Sequence, residues 1–116
     1  MANYCGPKVK LSRALGVPIA ETQKHVTPKR QNRPGQHGFR RGRTTLYGQQ
    51  LAEKQKLAYY YNVLDKQMRR YMAKAQSGKR ASQVELQEIL ETRLDNAIRR
   101  LRWARTIWQA RQMVAH

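Results

Sequence analysis

Apolar side chains recur at helical spacing from about residue 44 onward and show no regular period before it. The pattern predicts a helix from about Thr44 to Asn62, because asparagine tolerates the left-handed conformation that ends many helices. A second helix follows and is predicted to end at Gly78, another suitable terminator. Residues 1–43 hold all four prolines and five of the seven glycines, so we predict loops and turns there.

The strongest helical period lies in the next segment and predicts one helix over residues 82–103. Its apolar stripe consists of Leu86, Ile89, Leu90, Leu94, Ala97, Ile98 and Leu101. Ser82 and Glu85 are spaced as a capping box, in which each side chain satisfies a free backbone N–H of the other residue. Thr106 and Gln109 are spaced in the same way and predict a last helix. No strand is predicted, so the expected fold class is mostly α.

The charge of the chain limits what it can bind. It carries 24 basic and 7 acidic side chains, a net charge of +17, and residues 22–52 contain no acid at all. A charge of this size repels itself and favours a polyanionic partner such as RNA, DNA or anionic lipid. No apolar run approaches the ~18 residues of a membrane span, and the most basic stretch lacks the apolar face of a membrane-surface helix. We therefore expect no membrane partner.

The most basic stretch, residues 30–43, has the composition of a segment that contacts phosphates. It contains five arginines and no lysine, and the planar guanidinium matches phosphate oxygens better than an ammonium does. Its three glycines permit close backbone approach, and His37, Phe39 and Tyr47 are flat rings suited to stacking on bases. A solvated tail is the alternative interpretation, and we favour polyanion binding over it.

The two C-terminal helices allow several interpretations. An ordinary αα-corner is one, and a helix-turn-helix that contacts DNA is another. A DNA-binding or nucleoid-associated protein is therefore the main alternative function. Asp95 stands among arginines, and we expect it to pair with one of them inside the fold instead of acting as a catalytic acid. Trp103 and Trp108 are expected to pack in the apolar region, with stacking on bases as the alternative.

Neither a catalytic site nor a metal site is indicated by residue spacing. The histidines and the single Cys5 lack the spacing of zinc ligands, and no nucleophile–base pair is evident. An RNA-cleaving enzyme that uses His37 is a further alternative, but no paired acid or second histidine lies near it. We expect no cofactor, no small-molecule substrate and no enzymatic activity. The single cysteine also excludes an internal disulfide and fits a reducing compartment.

Five segments that occur in order along the chain resemble one known family. They are Met1–Tyr4 with Gly6 and Pro7, then RPGQHG at 33–38, EKQKL at 53–57, ETRLDN at 91–96 and QARQMV at 109–114. Together they resemble the bacterial small-subunit ribosomal protein S4 family. The resemblance implies a primary assembly protein of the cytoplasmic ribosome. Such a protein binds a multi-helix junction in the 5′ domain of small-subunit ribosomal RNA, beside neighbouring ribosomal proteins.

The resemblance also implies how the chain is organised. We expect an extended basic N-terminal arm over residues 1–43 and a helical core over 44–90. Residues 91–116 would then form the first two helices of a truncated α/β RNA-binding module, so the chain resembles the first half of such a protein. A non-functional fragment is a further possibility. Many relatives carry four zinc-binding cysteines. The matching positions here are Val9, Ser12, His25 and Arg30, so no zinc is expected.

The basic pattern and the resemblance together give a set of expected RNA contacts. In relatives, basic residues tend to follow the capping residue of the module's second helix, whereas Thr106 is followed here by Ile107 and Trp108. This difference shifts the expected contacts on that turn to Arg105 and Arg111. The full set of expected RNA-binding residues is Arg30, Arg33, Gln36, His37, Arg40, Arg41, Arg43, Lys54, Lys56, Arg93, Arg105, Thr106 and Arg111.

Overall fold

A computed structural model of the chain describes residues 4–20, 22–26, 32–38 and 42–116. These residues form seven α-helices and no strand, which confirms the predicted mostly α fold. The helices are α1 (Lys8–Leu15), α2 (Gln23–Val26), α3 (Leu46–Tyr60), α4 (Asp65–Gln76), α5 (Ser82–Glu91), α6 (Leu94–Arg100) and α7 (Ile107–Ala115). They divide into two compact units, an N-terminal unit of Cys5–Tyr60 and a C-terminal unit of Tyr61–His116 with Tyr4.

In the N-terminal unit, α1 and α2 are joined by a buried polar contact. The hydroxyl of Ser12 hydrogen-bonds Nδ1 of His25 over 2.6 Å, and it also accepts from the backbone N–H of Ile19 over 3.2 Å. Helix α1 ends at Gly16, whose φ of 72° is the left-handed conformation that glycine adopts without strain. The prediction of only loops and turns over residues 1–43 was wrong here, because a polar contact and not an apolar stripe holds α1.

Helix α3 begins and ends at signals that are visible in the sequence. The hydroxyl of Thr45 accepts a hydrogen bond from the backbone N–H of Gly48 over 3.1 Å, which caps the first turn. The helix ends at Tyr60, and Asn62 follows with a φ of 53°, so the predicted left-handed stop is confirmed.

In the C-terminal unit, α4 packs on α5 and α6 packs on α7. The buried apolar side chains of this unit are Tyr61, Val63, Met68, Ala75, Leu86, Leu90, Ala104, Ile107, Trp108 and Ala110. Helix α4 ends at Gln76, two residues before Gly78. Gly78 lies close to the side chain of Glu85, and an added Cβ would be 3.0 Å from its Cδ.

The prediction of one helix over residues 82–103 was wrong, because the chain breaks between α5 and α6. The hydroxyl of Thr92 donates to the carbonyl of Glu88 over 2.7 Å. The side-chain amide of Asn96 donates to the carbonyl of Glu91 over 3.0 Å. The carbonyl of Glu88 still accepts the helical bond from the backbone N–H of Thr92, whereas the amide of Asn96 takes the carbonyl of Glu91, which a continuing helix would bond with its own backbone. The break leaves Leu94 and Leu101 exposed, although both belonged to the predicted stripe.

The two predicted capping boxes had different outcomes. The Ser82–Glu85 box was wrong: α5 is preceded by Ala81 without a side-chain cap, and Glu85 accepts from Arg80 over 2.9 Å. The cap at Thr106 is confirmed, since its hydroxyl accepts from the backbone N–H of Gln109 over 3.2 Å. The side-chain oxygen of Gln109 accepts its hydrogen bond from the backbone N–H of Arg105, over 3.0 Å, one residue before the cap.

The two tryptophans lie in different environments. Trp108 is 6% exposed and packs in the core, as predicted. Trp103 is 69% exposed, so the prediction that it packs was wrong. It lies in the turn between α6 and α7, where the neighbouring Ala104 takes the buried position.

Candidate nucleic-acid interface

The expected RNA-binding residues are divided between the two units. Arg33, Gln36, His37, Arg43, Lys54 and Lys56 belong to the N-terminal unit, and Arg93, Arg105, Thr106 and Arg111 belong to the C-terminal unit. Arg30, Arg40 and Arg41, together with the ring of Phe39, lie outside the described residues.

The segment PGQHG forms a tight turn that exposes two of the expected contacts. The backbone N–H of Gly38 donates to the carbonyl of Gly35 over 3.3 Å, and Gly35 has a φ of 107°. The two residues between these glycines are Gln36 and His37, and both are exposed. The turn therefore presents an amide and an imidazole to solvent, two groups that hydrogen-bond phosphates and base edges.

Glycine is required at position 38 because the backbone comes very close to itself there. An added Cβ would lie 1.8 Å from the carbonyl oxygen of Arg33, which is far inside van der Waals contact. The segment is attached to α1 by Nε of Arg13, which donates to the carbonyl of Asn32 over 3.0 Å. A pocket of about 230 Å³ lies at this place, and it is lined by Ala14, Arg33, Pro34, His37 and Gly38.

The remaining expected contacts of this unit lie on or just before α3. Arg43 and Lys54 are exposed. Lys56 donates to the carboxylate of Glu53 over 2.8 Å, one turn earlier on the same helix. Surface pairs of this kind contribute little to stability, so Lys56 can exchange its carboxylate for a phosphate at small cost.

In the C-terminal unit, Asp95 is the centre of a buried ionic network. Nε of Arg111 donates to its carboxylate over 2.7 Å, and Nε of Arg93 donates over 3.2 Å. Arg111 also donates to the carbonyl of Asn62 over 2.7 Å, and Arg93 bonds the hydroxyl of Tyr71. Burial alone would raise the pKa of Asp95, but the hydrogen bonds from the two guanidinium groups outweigh it and lower that pKa. The prediction that Asp95 pairs with an arginine is confirmed.

Because of these contacts, Arg93 and Arg111 are less exposed to solvent than Arg105. Arg111 is only 5% exposed, and Arg93 is partly buried over the ring of Tyr71. Arg105 is exposed, and the hydroxyl of Thr106 already accepts the capping bond of α7. Of these four expected contacts, only Arg105 turns its charge to solvent.

A second polar network surrounds Glu91, where α5 ends. Its carboxylate accepts from Arg100 over 2.9 Å and from the amide of Asn96 over 2.8 Å, and it also bonds the hydroxyl of Tyr61. The hydrogen bond from Arg100 is the main cause that lowers the pKa of Glu91 to about 2, with the bonds from Tyr61 and Asn96 adding to it against burial. This network connects the end of α5 to Asn96 and Arg100 of α6 and to Tyr61.

The expected set omitted basic residues that the structure exposes on α4. Lys66, Arg70 and Lys74 are all exposed and four residues apart, so they follow one face of the helix at intervals of about 6 Å. We call these three residues the α4 basic stripe. The four-residue spacing is visible in the sequence and would have identified them. Arg102 and Trp103, in the turn between α6 and α7, were also left out of the expected contacts.

Within residues 4–20, 22–26, 32–38 and 42–116, no three His, Cys, Asp or Glu side chains come together as metal ligands would. None of the helices in those same ranges has both the length and the apolar character needed to cross a lipid bilayer.

Comparison with known proteins assigns most of the chain to one family. Residues 3–92 match the family described as ribosomal protein S4/S9 N-terminal domain. The whole chain is also similar to curated proteins named small ribosomal subunit protein uS4. It is 48% identical to that of Roseiflexus castenholzii, 45% to that of Dichelobacter nodosus and 48% to that of Porphyromonas gingivalis. The chain spans 57–58% of the length of these relatives.

Proposed function

The chain belongs to the ribosomal protein S4/S9 N-terminal domain family, and from this membership we propose that it binds small-subunit ribosomal RNA as a structural component of the small subunit. In this role it contacts a multi-helix junction, nucleates assembly of the 5′ domain and lies beside neighbouring ribosomal proteins in the cytoplasmic ribosome. The family is one of ribosomal proteins and not of enzymes, and no catalytic step is included in the proposal.

One observation carries this proposal: the acids of the described residues are already engaged within the chain. Six of the seven acidic residues are described, and each pairs with a basic side chain. The acids are Glu53, Asp65, Glu85, Glu88, Glu91 and Asp95. The chain has 24 basic side chains in all. The excess positive charge therefore needs an external polyanion, and a folded RNA supplies one.

The exposed positions divide the expected contacts into two roles. Arg33, Gln36, His37, Arg43 and Lys54, with the α4 basic stripe and Arg105, contact the RNA directly. Arg93 and Arg111 hold α6 and α7 in place through Asp95, and Thr106 fixes the start of α7. In this proposal residues 1–43 act as the basic arm, 44–90 as the helical core and 91–116 as the start of an RNA-binding module.

The geometry of α7 argues against the DNA-binding alternative. A helix that enters the major groove needs exposed side chains that reach bases and phosphates. The only charged residue of α7 is Arg111, and its guanidinium is turned inward to Asp95 and to the carbonyl of Asn62. Helix α7 would therefore meet a duplex without a cation of its own.

The test is a binding measurement with two nucleic acids at several salt concentrations. The 116-residue chain would be titrated with a transcript of the 5′ domain of bacterial small-subunit ribosomal RNA and with duplex DNA of equal length. If about 6–10 phosphates are contacted, affinity for RNA should fall roughly 10³–10⁵-fold between 50 and 200 mM salt, by analogy with duplex DNA. At equal salt the RNA should bind more tightly.

A matched pair of variants separates direct contact from general charge. Replacing Lys66, Arg70 and Lys74 together by glutamine removes the α4 basic stripe, and it should weaken RNA binding and reduce the salt dependence. Replacing Arg69 and Arg80 by glutamine removes two exposed cations that already have carboxylate partners, and it should have a smaller effect per charge removed. Equal or tighter binding to duplex DNA, or an affinity that does not change with salt, would overturn the proposal.

A further inference from the structure

The turn between α6 and α7 presents one large aromatic ring to solvent. Trp103 is 69% exposed, whereas Trp108, five residues later, is 6% exposed. Arg102 and Arg105, on either side of Trp103 in the sequence, are exposed as well. The turn therefore offers a partner one large aromatic ring between two cationic side chains.

The backbone of this turn is held by hydrogen bonds at both ends. At the end of α6, the N–H of Arg102 donates to the carbonyl of Arg99 over 3.0 Å, and the N–H of Trp103 donates to that of Ile98 over 3.2 Å. This is the bonding pattern of a Schellman motif, which glycine usually completes. Here Arg102 takes the left-handed position with a φ of 64°. A charged side chain thus occupies a conformation that favours glycine.

At the other end of the turn, the side chain of Gln109 accepts from the backbone N–H of Arg105, and Ala104 is buried. The backbone on both sides of Trp103 is therefore fixed, although the ring itself is not packed in the core. A partner that binds the ring would pay little to order this backbone.

The charge around the ring decides between two kinds of partner. No acidic residue occurs between Asn96 and His116, and this segment holds five arginines. An apolar protein surface would have to bury the flanking guanidinium groups without an anion to pair with them. An unpaired nucleotide has a flat base for the indole and phosphates for the guanidinium groups.

We propose that Trp103 stacks on an unpaired base of the bound RNA while Arg102 and Arg105 contact the phosphates beside it. The inference rests on the proposed function. It adds to that function by naming a single-stranded element of the RNA as the ligand of this turn. A purely double-helical site would leave Trp103 without a partner.

The test compares three replacements of Trp103 on the same 5′-domain transcript. Trp103→Ala should weaken binding about 5- to 150-fold, the range for loss of one stacked base. Trp103→Phe keeps a ring and should lose little. Trp103→Leu keeps apolar volume without a π face and should behave like Trp103→Ala. Circular dichroism and the emission of Trp108 verify that each variant keeps its fold.

Fluorescence gives an independent measurement. RNA should quench the emission of the parent protein through Trp103, and the Trp103→Phe variant, which retains Trp108 alone, should show little quenching. If Trp103→Leu binds as tightly as the parent, the ring meets an apolar surface and the inference is wrong. If Trp103→Ala binds as tightly as the parent, the inference is wrong while the proposed function stands. If the parent itself does not bind the transcript, the proposed function fails, and the inference fails with it.

Discussion

The carboxylate of Asp95 and the guanidinium of Arg111 form a buried ion pair, with Nε donating to Oδ2 over 2.7 Å. The same arginine donates to the backbone carbonyl of Asn62, so one side chain connects α7, the start of α6 and the segment before α4. Isolated surface pairs add little to stability, but a buried pair is costly to break, because the remaining charge has neither water nor a partner.

Replacing Asp95 by asparagine should therefore destabilise the C-terminal unit by about 3–5 kcal/mol, because it leaves two guanidinium groups without their carboxylate. Denaturant unfolding followed by the emission of the buried Trp108 would measure it. Asp65→Asn is the matched control, since its partner Arg69 is exposed, and it should cost less than about 1 kcal/mol. Adding Arg111→Met to Asp95→Asn should recover part of the loss. Equal losses of unfolding free energy for Asp95→Asn and Asp65→Asn would contradict the assignment of Asp95 as the centre of the network.

The lowered pKa of Glu91 predicts that the C-terminal unit loses stability at acidic pH. Its folded pKa of about 2 lies below the ordinary value of 4.5, so the folded state binds fewer protons than the unfolded state between these values. The stabilisation from Glu91 is complete above about pH 4.5 and is lost as the pH falls toward 2. Urea midpoints at pH 7, 5 and 3 should fall with pH, and Glu91→Gln should reduce the fall. An unchanged pH profile in that variant would show that other carboxylates, such as that of Asp95, cause the acid sensitivity.

The two capping positions should respond differently to alanine. Thr106→Ala removes the hydroxyl that caps α7 and should cost about 0.5–2 kcal/mol. Ser82→Ala should change stability by less than about 0.5 kcal/mol, because the N-cap position of α5 is Ala81 and no side-chain capping bond is made there. Thermal unfolding of the two variants side by side gives the comparison. A larger loss for Ser82→Ala would show that the sequence-predicted box does form in solution.

The turn at residues 35–38 should be sensitive at one glycine and tolerant at another nearby. Gly38→Ala brings a Cβ to within 1.8 Å of the carbonyl oxygen of Arg33, so the turn must open and Gln36 and His37 must move. We expect roughly tenfold weaker RNA binding, the loss of about one charge-assisted contact. Gly42→Ala meets nothing within 4 Å and should bind as the parent does. Similar affinities for the two variants would exclude this turn from the interface.

The parts of the fold that could be predicted are those that local sequence determines. Helix α3 with its stop at Asn62, and the cap of α7 at Thr106, depend on side chains that bond their own neighbours. Helix α1 was missed because its support is the contact of Ser12 with His25, thirteen residues away. No periodicity reports such a contact.

The break between α5 and α6 was missed for a similar reason. The stripe of apolar residues continues through it, and the decisive group is the amide of Asn96, which bonds back to Glu91. For the candidate site, the arginines that surround Asp95 in the sequence predicted that it would pair with one of them. Composition could not say which arginine, because Arg105 and Arg111 look alike until the packing of α7 turns one of them inward.

The ion pair of Asp95 and Arg111 also has a consequence for how the chain is made. The carbonyl of Asn62 leaves the translating ribosome 49 residues ahead of the arginine that completes its hydrogen bond, and Asp95 leaves 16 residues ahead. At about 5–20 residues per second, the carboxylate waits on the order of 1–3 s for Arg111. Burying it earlier would leave an anion without its second cation. Vectorial synthesis therefore delays closure of this unit until α7 has emerged, and a nascent chain stalled before residue 111 should remain open to proteases.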